Sequence, residues 1–203
     1  VYLSDSLAGF NSTGYYSRDV TLRNSTFRQN GRMLVAIVWA QRVTMTDITF
    51  SDACFAAIDV EPDWSYQVCG DISLVRPVFG NWGWDPDFTG APVLITRPSS
   101  AGGTFTLTGA CSMTDWSVTG SRQNTSTGRN EVWFEAPWAQ FGKSGSLTIT
   151  GGTRTAGTVP GPVVYLYQHT GQPITITNNT GHLSSGSFVS ATSSGTVTQS
   201  GNS

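Results

Sequence analysis

The stretch DVTLRNSTF (residues 19–27) returns as RVTMTDITF (42–50), 23 residues later, in the shared pattern V-T-[LM]-x-x-x-T-F. A repeat at fixed spacing marks one structural unit used again. A unit too small to bury its own apolar face must stack on its copies. Looser copies follow in DISLVRPVF (71–79), TFTLTGACSM (104–113), SLTITGGT (146–153) and PITITNNT (173–180). A second series interleaves with the first: LVAIVWA (34–40), AAIDVEP (56–62), PVLIT (92–96), EVWFEA (131–136) and VVYLYQ (163–168). All are short, rich in β-branched or aromatic residues, and bounded by Gly, Asn, Asp, Ser or Pro, which predicts strands.

The two series alternate, one pair every 22 to 42 residues, with no helix-length amphipathic segment between members. Helical crossovers of the βαβ kind are therefore excluded. The expected fold is all-β: a solenoid of about six irregular coils whose equivalent strands stack into parallel sheets. One domain spans residues 1–203, with 1–18 as lead-in, 19–180 as coils, and the polar 181–203 as a cap or inter-chain tail. The longest insertions, at 64–70, 80–91 and 120–130, are expected as loops at the solenoid edge.

Composition narrows the partners. The 203 residues suffice for a substantial core, and 12% charged residues with 23 glycines suit a turn-rich β protein. A net charge of −2, with one lysine and ten scattered arginines, predicts no nucleic-acid face. No apolar run is long enough to insert in a membrane. Starting at Val1 predicts a piece of a longer chain. No phosphate loop, nucleophile elbow or zinc spacing occurs, so no cofactor or metal is expected. Cys54 and Cys69 bracket a loop and can form a disulfide; alternatively these two and Cys111 are small buried hydrophobes.

Alternation predicts what each strand shows to solvent. Aligning Ala36-Ile37-Val38-Trp39 with Ala57-Ile58-Asp59-Val60 sets Ile37 over Ile58 inside, with Val38, Asp59 and Glu61 outside. In later coils Val132, Phe134, Val164 and Leu166 turn inward, leaving Trp133, Glu135, Tyr165 and Tyr167 outside. Six of the thirteen acids fall within 59–87, among Trp64, Tyr66, Trp82 and Trp84. Aromatic rings stack on sugar C–H groups and carboxylates accept sugar hydroxyls. The candidate glycan-binding set is thus Trp82, Trp84, Asp85, Asp87, Trp133, Tyr165 and Tyr167. The competing reading folds the tryptophans of 81–87 back as cover for the edge.

Residues 31–63, GRMLVAIVWAQRVTMTDITFSDACFAAIDVEPD, resemble the right-handed parallel β-helix superfamily, the pectin-lyase-like solenoids. Asn24 and Asp47 match its polar position after the strand, and Phe27 and Phe50 its stacked aromatic. The resemblance implies right-handed coiling but not one activity, since the superfamily hosts lyases, hydrolases, adhesins and viral spikes. For glycoside hydrolysis, two carboxylates about 5–9.5 Å apart are needed. Asp59 with Glu61, or Asp59 with Glu135, would supply them. The adjacent Asp-Asp pair and the Gly-His-Gly and Arg-Ile-Lys segments of the family's polygalacturonases are missing. Asp59, Glu61 and Asp63 offer calcium-type oxygens, but no arginine base is placed by motif. Irregular coils, low charge and a Ser/Thr/Gly-rich second half make the chain similar to bacteriophage tail spikes, tail fibres and minor tail proteins. That similarity implies a virion-surface homotrimer that binds host cell-surface polysaccharide and contacts other tail proteins. The alternatives are a secreted or virion-associated polysaccharide lyase or glycoside hydrolase, and a purely structural decoration or adhesin.

Overall fold

The computed structural model describes residues 1–4, 16–29, 32–62, 67–85, 91–95, 106–124, 134–137, 140–141, 146–154, 159–160, 162–167, 173–191 and 196–203. Among them there is no helix, and every strand pair is parallel. A seven-stranded sheet takes its strands strictly in chain order: Tyr2–Leu3, Val35–Ile37, Ile58–Val60, Val93–Ile95, Phe134–Pro137, Val164–Tyr167 and Val189–Ala191. A twelve-stranded sheet is built around Ser17–Arg28, Ala40–Ser51, Cys69–Val75, Ala110–Thr114, Ser146–Thr150, Ile174–Thr177 and Val197–Ser200. A third sheet pairs Val159–Pro160 with Leu183–Ser185. Chain and sheet order agree because each segment adds beside the one before it.

The 23-residue spacing sets the register. Val20 pairs with Val43, Leu22 with Met45 and Phe27 with Phe50. In the seven-stranded sheet, Val35 sits over Ile58 and Ile37 over Val60, two residues away from the expected Ile37–Ile58 pairing. A two-residue slip keeps every side chain on its predicted face, because strand alternation has period two. Val35, Ile37, Ile58, Val60, Val164 and Leu166 accordingly lie in the core.

The core consists of stacked like residues. One inner row runs Leu22, Met45, Leu74, Met113, Ile149, Ile176 and ends on the polar Gln199. Another stacks Phe27, Phe50 and Phe79, with ring centroids 5.8 and 5.5 Å apart and planes within 20°. Burying each such side chain contributes about 1.5–3 kcal/mol. The polar segment 181–203 extends both large sheets through Val189–Ala191 and Val197–Ser200.

A bend recurs at one register position, inside the two long strands and directly after the shorter ones. Asn24, Asp47, Arg76, Asp115 and Asn178 all have φ between 49° and 56°, with Gly151 and Gly201 in the same left-handed region. Asn, Asp and Gly tolerate that conformation best. Arg76 is the exception, and its guanidinium makes a bidentate pair with Asp47 at 2.7 and 2.8 Å. Arg42 and Asp19 repeat the device at 2.5 and 2.8 Å. These guanidinium bonds hold both aspartates below the ordinary carboxylate range.

Asn179 closes the C-terminal half from within. Its Oδ1 accepts from Trp116 Nε1 and from the Gly152 backbone N–H, both at 3.0 Å. Its Nδ2 faces the carbonyls of Ile149 and Thr177 and Oδ1 of Asn202. Only glycine fits at 152, because a Cβ there would fall inside the Trp116 indole.

The three cysteines are free, so of the two readings the structure takes the unbridged one, with Cys69 and Cys111 as buried small hydrophobes. Cys69 is in the core, where its thiol faces the carbonyls of Ile37 and Val38, while Cys54 is half-buried. Cys69 entered a strand of the inner lattice, so it packs as a small hydrophobe.

Candidate functional site

Asp59 shares a row with Ala36, Leu94, Glu135, Tyr165 and Ser190, on the face opposite Ile58 and Val60. The side of the strand is the expected one. The environment is not: Asp59 is 1% exposed, and its row neighbours Ala36 and Leu94 are also buried. The outer face of this part of the sheet is covered, so Asp59 does not look into solvent. Glu61 is half-buried, and its backbone N–H donates to the Ile37 carbonyl. Glu135 and Tyr167 are placed by backbone register alone, Glu135 against Leu94 and Tyr165. Two strand spacings separate Asp59 from Glu135, about 9.6 Å at the backbone. Tyr165 is half-buried on the same row. Trp133 and Asp87 lie outside the described residues, as do Asp63, Trp64, Tyr66 and His169.

The two tryptophans of NWGWD part company. Trp82 is 1% exposed, bridged between Ala53 and Arg122, and belongs to the core; it is removed from the glycan-binding set. Trp84 is 54% exposed. Residues two apart on a straight strand share a face, but Gly83 between them takes φ 66° and breaks the alternation. The turn that presents Trp84 is braced on both sides. Gly83 N–H donates to the Ala53 and Phe55 carbonyls, and Asp85 N–H to the Cys54 carbonyl. Asn124 adds its backbone N–H to the Gly83 carbonyl and its Nδ2 to the Asp85 carbonyl at 3.0 Å. An indole is thus held in water beside a half-buried aspartate, at the edge of the sheet.

A third surface was missed from sequence. The outer face of the twelve-stranded sheet carries a row of hydroxyls on seven successive strands: Thr21, Thr44, Ser73, Ser112, Thr148, Thr175 and Thr198. Two residues further on, a second row runs Thr46, Val75, Thr114, Thr150, Thr177 and Ser200. Hydroxyls bond along the rows, Ser112 Oγ to Ser73 Oγ at 3.2 Å and Thr150 to Thr177 at 3.1 Å. The recurring T-x-T of TMT, TIT and TIT was the available signal. By itself the pattern marks only strands.

Among the described residues, no three of His, Cys, Asp and Glu gather as a metal site, and no helix is long and apolar enough to cross a membrane. No protein family, curated protein or solved structure matches this chain.

Proposed function

We propose that the chain is a right-handed parallel β-helix that binds a chain-like cell-surface glycan, as a module of a virion tail spike, tail fibre or comparable extracellular protein. In-order parallel strands with a 23-residue register support the solenoid. The observation that carries the binding reading is Trp84, an indole held 54% exposed by a hydrogen-bonded turn. Tryptophan is seldom left in water without a use, and an aromatic face beside a carboxylate matches a sugar ring and its hydroxyls. The binding set is Trp84, Asp85 and Tyr165; Asp87, Trp133 and Tyr167 remain members by sequence position. The proposed assembly is a homotrimer on the virion surface, beside other tail proteins.

An array of bacterial polysaccharides probed with the purified chain and its Trp84→Ala variant tests the reading. The chain is expected to be retained on a defined glycan, and the variant to lose most of that retention. No retention, or equal retention of the variant, overturns the site.

A second reading rests on the common row of Asp59 and Glu135, and it requires a sugar to reach Asp59 past the cover that leaves it 1% exposed. Their backbones stand about 9.6 Å apart, just beyond the roughly 6.5–9.5 Å that separates the carboxyl groups of an inverting pair. Reducing-end release that disappears in both Asp59→Asn and Glu135→Gln would establish a polysaccharide hydrolase.

A further inference from the structure

We propose that the hydroxyl-bearing face of the twelve-stranded sheet binds the surface of ice. On its last four strands the two rows hold Ser112 with Thr114, Thr148 with Thr150, Thr175 with Thr177, and Thr198 with Ser200. Every position of this patch is a serine or threonine, and all are half-buried or exposed. Parallel pairing in continuous register repeats the hydroxyls about every 4.8 Å across strands and about 6.7 Å along them. Those two spacings approach the repeats of oxygen positions on faces of hexagonal ice.

High β-propensity favours threonine on any exposed strand, but propensity alone does not exclude charge. The same rows do accept other residues near the N-terminal end, where Arg23 and Val75 stand at second-row positions. Over the last four strands no charged side chain enters the rows. The bordering bend there carries Asp115 and then Gly151, Asn178 and Gly201. Charged lattices, anionic membranes and nucleic acids are poor partners for such a surface. The absence of aromatic residues in the rows argues against crystalline polysaccharide. An uncharged lattice of water matches both the chemistry and the period: hydroxyls enter its hydrogen-bond pattern while threonine methyl groups sit between its oxygens.

The purified chain, cooled with a growing ice hemisphere, provides the test. Enrichment in the ice fraction is read against an inert protein of similar size and charge. The wild-type chain is expected to be enriched several-fold, and Thr148→Lys with Thr175→Lys to fall to the inert level. Thr148→Val with Thr175→Val, which keeps shape and strand propensity, serves if the lysine variant fails to fold. It is expected to show reduced enrichment. Trp84→Ala is expected to retain full enrichment, which separates this face from the glycan site. Exclusion of the wild-type chain from ice overturns the proposal, as does enrichment unchanged by folded variants of the rows.

Discussion

Asn179 shows how a single amide can hold several repeats together. It is 0% exposed and engages groups on Trp116, Ile149, Gly152, Thr177 and Asn202. Replacing it with alanine strands the Trp116 and Gly152 N–H groups in the core, and should cost about 3 kcal/mol in urea unfolding. The thiols make a second point at this scale. Burial pushes Cys69 up to about 12 and Cys111 up to about 11, from an ordinary 9.0. Both stay protonated in the native protein at neutral pH and shielded from reagents. A thiol-exchange assay should therefore find Cys54 reactive in the folded chain, and all three cysteines in urea. A raised thiol pKa means that the native state keeps a proton which the unfolded chain releases. Stability from this source is present below about pH 9 and is lost as pH rises toward 11–12. The urea midpoint should fall between pH 8 and about pH 10, and Cys69→Ala with Cys111→Ala should flatten that fall.

Among the elements, the phenylalanine stack is the clearest test of like-on-like packing. Phe50 lies between Phe27 and Phe79 and is 1% exposed. Phe50→Ala removes two ring contacts at once and should cost about 3–5 kcal/mol by denaturant melting. The stack was legible in the sequence because V-T-[LM]-x-x-x-T-F kept its spacing through Phe27 and Phe50. The same spacing gave the register of the first two long strands. Legibility ended where the pattern stopped alternating. The strands Val35–Ile37, Ile58–Val60 and Val93–Ile95 are buried at every position. Two-sided burial produces continuous apolar runs in parallel sheets, so LVAIVWA and PVLIT already hinted that the outer face was covered. Alternation assigned Asp59 to the correct side of its strand, but it carries no information about what lies over that side. Trp82 and Trp84 were inseparable for a related reason. Their fates depend on the φ of Gly83, and a glycine in a loop does not announce which way it turns.

At the scale of the molecule, parallel ladders link each strand mainly to its counterparts one repeat before and one repeat after. Stability in such an array is close to a sum of repeats and the interfaces between neighbours. Removing residues 24–46, one 23-residue period, joins Arg23 to Asp47 where Thr46 stood, and Arg23 already occupies the matching register position. The shortened chain should still fold cooperatively, with β-rich circular dichroism and a lower melting temperature. Removing 24–40 instead shifts the register by an incomplete period and should yield an unfolded or aggregated product. Light scattering of the intact chain also separates the proposed trimer from a 21.7 kDa monomer. The matching of Val20 with Val43 and of Phe27 with Phe50 has an evolutionary corollary. A tandem duplication of that length would present the enlarged protein with an interface it already possesses, so growth or contraction by whole periods offers lineages a ready route to new reach.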